Sequence, residues 1–103
     1  MGETGTTQLV CVAEFHAFQG KEQELVAALH ILMGPTHKEE GCLRYELNQA
    51  SNDPRCVTFI EKWKNQDAFD QHCATSYIKN FFDNLRPLLV EEFEVTLYRE
   101  ILP

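Results

Sequence analysis

Residues 42–64 read CLRYELNQASNDPRCVTFIEKWK, and this stretch decides the fold. Bulky side chains occupy every second position from Cys42 to Gln49 and again from Cys56 to Lys64, which is the period of a β-strand. The link between them, Ala50–Arg55, contains the turn signal Ser51-Asn52-Asp53-Pro54. Because the link is short, the two strands are predicted to form an antiparallel hairpin.

The residues before the hairpin predict a strand followed by a helix. From Gln8 to Phe18 a wholly apolar set of side chains alternates with a mixed set, as in a strand. After Gly20 the apolar spacing becomes helical, at Leu25, Ala28, Leu29 and Leu32. We expect the helix to weaken at Gly34-Pro35, where the proline amide cannot donate, and to close at Gly41.

The residues after the hairpin predict two helices and a last strand. Asn65-Gln66-Asp67 opens the first helix, which carries Phe69, His72 and Cys73 on one face. Thr75 or Ser76 is expected to cap the second helix, which Pro87 is expected to bend. Its apolar face consists of Ile78, Phe81, Phe82, Leu85, Leu88 and Leu89. Glu92–Ile101 alternates again as a strand.

The predicted order β-α-β-β-α-α-β is typical of an α+β fold of the ferredoxin-like, split βαβ type. We expect one domain over residues 8–103, with an antiparallel sheet and helices on one face, and a disordered N-terminus over residues 1–7. Apolar residues occur on both faces of the first strand, so one face stays uncovered. We therefore expect a homodimer in which two sheets pack face to face as an α/β barrel.

The composition disfavours several classes of partner. The chain has 103 residues and a net charge of -7, with 16 acidic and 9 basic residues. This charge repels nucleic acid and anionic membranes. Neither a secretory signal nor an apolar run of about 20 residues is visible, so the expected location is the cytoplasm. No C-x-x-C pair occurs, so we expect reduced and mostly buried thiols at Cys11, Cys42, Cys56 and Cys73.

Two stretches resemble a known family. Glu39–Leu47 reads EEGCLRYEL, and Phe59–Tyr77 reads FIEKWKNQDAFDQHCATSY, with an E-x-W strand end, an acidic-Ala-Phe turn and a helix that carries a His. Both are similar to motifs of the antibiotic biosynthesis monooxygenase family of dimeric α/β barrels. The resemblance covers about residues 8 to 101. It implies a ferredoxin-like protomer and a small-molecule enzyme.

Members of the family catalyse several different reactions, and the motif residues of this chain resemble some of these members more than others. Its heme-degrading members have an Asn, a Trp and a heme-ligating His where this chain has Phe15, His72 and Phe82, so the resemblance implies no heme. Members that degrade a phosphorylated autoinducer have a second His in a Thr-Pro-His-Tyr stretch, where this chain has Thr75-Ser76-Tyr77. The quinol monooxygenases, which need no cofactor, are the members most similar in these respects.

His72 is the leading candidate for a catalytic base, because an imidazole titrates near neutral pH and can accept a proton from a phenol. Glu61 is expected to orient His72, and Tyr77 or Asn48 to donate a hydrogen bond to the substrate. Trp63, Phe69 and Phe15 are expected to line the substrate site. Each of these residues could instead have a structural role. His72 could be a core residue with its hydrogen bonds satisfied, and Trp63 and Tyr77 could serve only in packing. Glu61 could form an ion pair with Arg44, Arg86 or Arg99.

Cofactor sites have no support in the sequence. His16, His37, His72 and Glu61 are not at metal-ligand spacings, and neither a phosphate loop nor a dinucleotide fingerprint occurs. We expect a colourless, metal-free protein that oxidises a small quinol or aromatic substrate with dioxygen. The alternatives are an enzyme that isomerises or degrades a small phosphorylated signal, and a dimeric binding module without chemistry.

Overall fold

The order of strands and helices in the computed structural model, which describes residues 5–103, confirms the predicted fold class. The elements are β1 (Gly5–Ala17), α1 (Glu22–His37), β2 (Cys42–Ala50), β3 (Asp53–Trp63), α2 (Gln66–Cys73), α3 (Ser76–Asn80), a π turn (Phe81–Leu85), α4 (Arg86–Leu89) and β4 (Val90–Ile101). The strands form one antiparallel sheet in the order β2-β3-β1-β4. This is the ferredoxin-like arrangement, with helices on one face of the sheet.

Strand alternation separates the sheet into two faces. On β1, Cys11, Ala13, Phe15 and Ala17 are buried, and on β3 the buried set is Val57, Phe59, Glu61 and Trp63. The register pairs these two sets directly, for example Phe15 with Val57 and Cys11 with Glu61. Both sets therefore lie on the face that the helices cover, which we call the covered face. Leu25, Leu29 and Leu32 of α1 are buried against it, as their spacing predicts.

The first helix ends differently from the prediction. It continues through Gly34 and Pro35 to His37, and Lys38 is its C-cap. Pro35 lies in the last turn, where the loss of one amide donor costs less than in a helix interior. Gly41 does not close the helix but lies in the link before β2, where an added Cβ would come within 2.3 Å of the Ala68 Cβ. A glycine is needed there because α2 packs directly on this link.

The hairpin turn is tighter than predicted. β2 extends to Ala50 and β3 begins at Asp53, so the turn is formed by Ser51 and Asn52 alone. Pro54 is the second residue of β3, next to the turn. Pairing of β3 with β1 begins only at Cys56, so the missing amide of Pro54 does not interrupt the hydrogen bonds between these two strands. A register shift between Gln49 and Ala50 accommodates the short connection.

The helical segment after α2 also departs from a simple bend at Pro87. Asn65 and Thr75 cap α2 and α3 through side-chain oxygens that accept from the amides of Ala68 and Ile78, as predicted for Thr75. The helix then widens into the π turn that carries Phe81 and Phe82, and Pro87 lies at the start of α4. A π turn inserts a residue into the helical repeat and is frequent at functional sites.

The edges of the sheet are longer than predicted. β1 begins at Gly5 rather than Gln8, since pairing with β4 continues to Gly5 and Ile101. Of the N-terminal segment 1–7 that we expected to be disordered, residues 1–4 lie outside the described residues. β4 begins at Val90, two residues before the predicted start.

No helix formed by residues 5–103 packs on the other face of the sheet, which we call the open face. Val10, Val12, Ile60 and Thr96 are half-buried there, side by side on three strands. Within residues 5–103, no helix combines the length and the apolar character that crossing a membrane requires. The four cysteines are free, as expected, but only Cys11 is buried, Cys42 and Cys56 are half-buried, and Cys73 is exposed because it ends α2.

Candidate active site

A narrow cavity of about 60 Å³ lies between the covered face and the helices. Its wall is mostly apolar, and its polar groups come from Tyr45, Glu61 and His72 and from the thiols of Cys11 and Cys73. The cavity reaches the outside beside β4, where the lining residue Val95 is 42% exposed. The remaining lining residues are Ala13, Phe15, Leu29, Leu32, Phe59, Phe69, Ile78, Phe81 and Phe82.

His72 is held in a defined orientation at this cavity. It lies in the last turn of α2 and is 3% exposed, and its Nδ1 lies 2.9 Å from Oε2 of Glu39. Burial lowers the pKa of His72, although the bond to Glu39 acts in the opposite direction. The imidazole is therefore neutral near pH 7. Because the Nδ1–H group donates a hydrogen bond to the carboxylate, Nε2 is the unprotonated, basic nitrogen.

Glu39 is a residue of this candidate site that the sequence did not reveal. It lies in the link between α1 and β2, and its carboxylate also accepts a hydrogen bond from the hydroxyl of Tyr77. Burial is the largest cause that raises the pKa of Tyr77, to about 12, and the bond to Glu39 acts in the same direction, so the hydroxyl stays a donor. Glu39 is the first residue of one of the two family-like motifs. Only the fold brings it to His72 and Tyr77, which lie 33 and 38 positions further along the chain.

Trp63 supports His72 from behind and does not line the cavity. Its ring is fully buried, with its centroid 4.4 Å from that of the imidazole. Tyr45 contacts the same imidazole edge-on at 5.4 Å. These aromatic contacts restrict the rotation of His72. Trp63, which was expected in the wall of the substrate site, therefore holds the imidazole in place from behind.

Glu61 does not take the orienting role that the sequence suggested. Its Oε1 accepts from Nε1 of Trp63 at 2.9 Å, and the thiol of Cys11 also donates to it. Burial raises the pKa of Glu61 to about 7, and the hydrogen bonds only partly offset this effect. A carboxyl group that is half protonated at neutral pH can deliver a proton inside the cavity. Of the arginines considered as partners, Arg44 pairs with Glu46, and Arg86 donates to the Phe82 carbonyl.

The other predicted residues separate into two groups. Phe15 and Phe69 line the cavity, and Tyr77 joins the site through Glu39. Asn48 does not reach the cavity. It pairs with Thr58 of β3, and Thr58 pairs with Glu14 of β1, so all three side chains lie on the open face of the sheet. The exposed Asn48 amide instead donates to the Glu46 carbonyl. Asn48 is therefore excluded from the site.

The site combines a neutral base and a partly protonated acid in apolar surroundings. The histidine nitrogen that faces Glu39 is already bound, and no second His lines the cavity among residues 5–103. Cys11, Glu61 and Cys73 also line the cavity, but no three ligand atoms from these residues and His72 lie within 4.8 Å of one another, so they do not form a metal-ligand cluster. Its groups are suited to moving protons on and off a bound aromatic molecule.

Known proteins are similar to this chain in sequence and in structure. The sequence profile of the family described as antibiotic biosynthesis monooxygenase matches residues 8–84. "Putative monooxygenase Rv0793" of Mycobacterium tuberculosis is 26% identical over 92 residues, 89% of this chain and 90% of that protein. Protein SO0527 from Shewanella oneidensis has 44% identity and a TM-score of 0.95, with 98% of each chain covered. A protein from Methanosarcina mazei has 30% identity and a TM-score of 0.85, with 92% and 94% covered.

Proposed function

The chain belongs to the antibiotic biosynthesis monooxygenase family, and from this membership we propose that it is a cofactor-independent monooxygenase of small quinols or other hydroxyaromatic compounds. The observation that carries the proposal is the neutral imidazole of His72, which Glu39 orients at the wall of an apolar cavity. A deprotonated hydroxyaromatic is electron-rich enough to reduce dioxygen itself. The substrate then supplies the electrons for which other oxygenases use a cofactor.

The reaction balances without an external reductant. Nε2 of His72 takes the hydroxyl proton, and the resulting anion transfers electrons to dioxygen and forms a carbon–oxygen bond. The peroxide anion takes the proton back from His72 and becomes a hydroperoxide, which then loses water. In that step the ring C–H proton leaves to Nε2 of His72, and the departing hydroxyl takes a proton from Glu61, whose pKa of about 7 leaves it partly protonated. Transfer of the proton from His72 to the Glu61 carboxylate then restores both groups. A quinol and dioxygen thus give a hydroxyquinone and water, with one oxygen atom in each product.

The cavity has to widen before an aromatic substrate fits. Its volume of about 60 Å³ is well below the roughly 300–1,000 Å³ of typical small-molecule pockets. The half-buried Phe82, which lies in the π turn and contacts Phe93 of β4 at a centroid distance of 5.5 Å, borders the side where the cavity opens. A movement of this phenyl ring admits the substrate and leaves His72 and Glu39 in place.

A phosphorylated substrate fits this cavity poorly. Within residues 5–103 its lining contains the carboxyl group of Glu61 but neither a lysine nor an arginine, and a second carboxylate, that of Glu39, lies behind His72. A phosphate group there would meet negative charge without a compensating cation. The cavity therefore favours a neutral aromatic substrate over a small phosphorylated signal.

Oxygen consumption is the direct test. We expect the purified protein to consume dioxygen with at least one member of a panel of naphthoquinols, hydroquinones and anthrones, and to keep its rate after dialysis against a chelator. The measurement uses an oxygen electrode, and the protein-free rate with each substrate is the control for autoxidation. A rate equal to the protein-free rate for the whole panel would leave a binding module as the function.

We also propose that the chain is a homodimer through the apolar half of the open face, around Val10, Val12 and Ile60. These side chains are adjacent across β1 and β3, and no helix covers them. At micromolar concentration we expect twice the 11.9 kDa chain mass in sedimentation equilibrium. Ile60→Lys should give monomers, because burying the ammonium group in an apolar contact is costly.

The matched control is Ile31→Lys, since Ile31 lies on α1 and is 74% exposed. The control should sediment as the unchanged protein does. A monomeric unsubstituted protein, or equal dissociation in both variants, would contradict this interface.

A further inference from the structure

Three different metal-binding side chains meet on the open face, outside the active site. Glu14 and His16 are two positions apart on β1, and Cys56 is the register partner of His16 on β3. The His16 Nε2, the Cys56 Sγ and a Glu14 carboxylate oxygen all lie within 4.8 Å of one another. Nε2 of His16 is already 2.8 Å from Oε2 of Glu14. One imidazole, one thiol and one carboxylate thus converge on one point.

The separations, which run from 2.8 Å to at most 4.8 Å, span the ligand spacing of a tetrahedral metal site. Zinc binds nitrogen and oxygen at about 2.0–2.2 Å and sulfur at about 2.3 Å, so its ligand atoms lie roughly 3.3–3.6 Å apart. The three side chains are half-buried, which restricts their motion but leaves a path for an ion. Small side-chain rotations would bring the donor atoms to these separations without a change in the backbone.

The surrounding charge favours a cation. Glu92 and Glu94 of β4 are the register partners of His16 and Glu14, and they line the same shallow depression. The neighbouring cation, Arg55, is occupied by the Ala17 carbonyl and by Glu91. Three carboxylates thus surround the imidazole, and Glu92 is placed to offer a fourth ligand.

We propose that Glu14, His16 and Cys56 form a binding site for a divalent transition-metal ion, with zinc as the ion that this mixed nitrogen, oxygen and sulfur set suits best. The thiol and any imidazolium proton leave on binding, and water or Glu92 completes the coordination. The site is separate from the catalytic cavity, because Ala13 and Phe15, the neighbours of Glu14 along β1, point to the opposite face. It departs from the metal-free protein that linear spacing predicts, since its ligands become neighbours only through strand pairing.

The test is a titration of the chelator-treated full chain with Co²⁺, followed by absorption spectroscopy. We expect one Co²⁺ per chain, with the intense visible bands of tetrahedral cobalt and the near-ultraviolet charge-transfer band of a cobalt–thiolate bond. Zn²⁺ should displace the cobalt and remove both signals. The absence of the charge-transfer band at saturating Co²⁺ would overturn the proposal.

Three variants distinguish this site from other thiols. Cys56→Ser should abolish the charge-transfer band, and His16→Gln should weaken binding at least tenfold, whereas Cys42→Ser, another half-buried cysteine, should bind as the unchanged protein does. A band that persists in Cys56→Ser, or that is lost only in Cys42→Ser, would refute the assignment. Melting curves confirm that each variant is folded. Because the signals are spectroscopic, they are independent of whether the cavity has oxygenase activity.

Discussion

Replacement of His72 by Gln should lower the rate of substrate-dependent oxygen consumption by about 100-fold or more, the usual cost of losing a general base. The Gln side chain can still donate to Glu39, but it cannot accept the substrate proton at neutral pH. Turnover is measured with the oxygen electrode and unfolding by thermal denaturation on the same sample. We expect a small change in melting temperature and a large change in kcat.

His72→Ala is a less specific test of the catalytic role than His72→Gln. His72 is buried against Trp63 and bonded to Glu39, so its truncation leaves a void and removes a partner from the carboxylate. A loss of about 1–3 kcal/mol in the free energy of unfolding is expected for such a change. A loss of turnover in His72→Ala would therefore combine the missing base with a less stable fold.

The Glu39→Gln variant separates positioning from structural support. Without the carboxylate, the pKa of His72 loses the interaction that raises it, so the acid limb of the kcat/KM profile should move to lower pH. Glu40→Gln is the matched control, because Glu40 is fully exposed and pairs with Lys64 instead.

Normal turnover in His72→Gln with reduced stability would show that the histidine is structural, and the proposed active site would have to be abandoned.

Glu61→Gln should increase the stability of the protein at alkaline pH by as much as about 3 kcal/mol, which is the free energy that corresponds to a pKa raised from 4.5 to about 7. Gln resembles the protonated carboxyl group and can still accept from Nε1 of Trp63. Below pH 4.5 the carboxyl group is protonated in the folded and the unfolded chain, so the two proteins should have similar stability.

The sign of this effect follows from proton binding. Between pH 4.5 and about 7 the unfolded chain ionises while folded Glu61 keeps its proton, so the unsubstituted protein loses stability as the pH rises. The loss is complete above the folded pKa, where Glu61 is ionised in both states. Gln does not titrate, so the difference in free energy of unfolding should grow across this window.

Urea denaturation at a series of pH values measures this difference. Glu46→Gln, on the exposed pair with Arg44, serves as the control and should show no growing advantage. The turnover of Glu61→Gln should fall, because Gln cannot deliver the proton for loss of water. Parallel stability curves for the two proteins would show that Glu61 is ionised in the cavity and would remove it as the acid.

The sequence determined the parts of the fold that depend on local periodicity. Alternation at 42–49 and 56–64 defined the central hairpin, and helical spacing at Leu25, Leu29 and Leu32 defined the face of α1 that is buried. It also placed His72, Phe15 and Phe69 at one cavity, because each lies on the apolar side of a periodic element. Period and composition act over a few residues, so they are readable in the chain itself.

Only the tertiary structure decided which side chains meet. The carboxylate that holds His72 belongs to Glu39, 33 positions earlier, while the nearer candidate Glu61 is bound by Trp63. Asn48 lost its assigned role because strand register placed it on the open face, and the same register brought Cys56 beside His16. These contacts depend on the packing of α2 over the sheet and on strand pairing, which link distant residues and leave no regular spacing in the sequence.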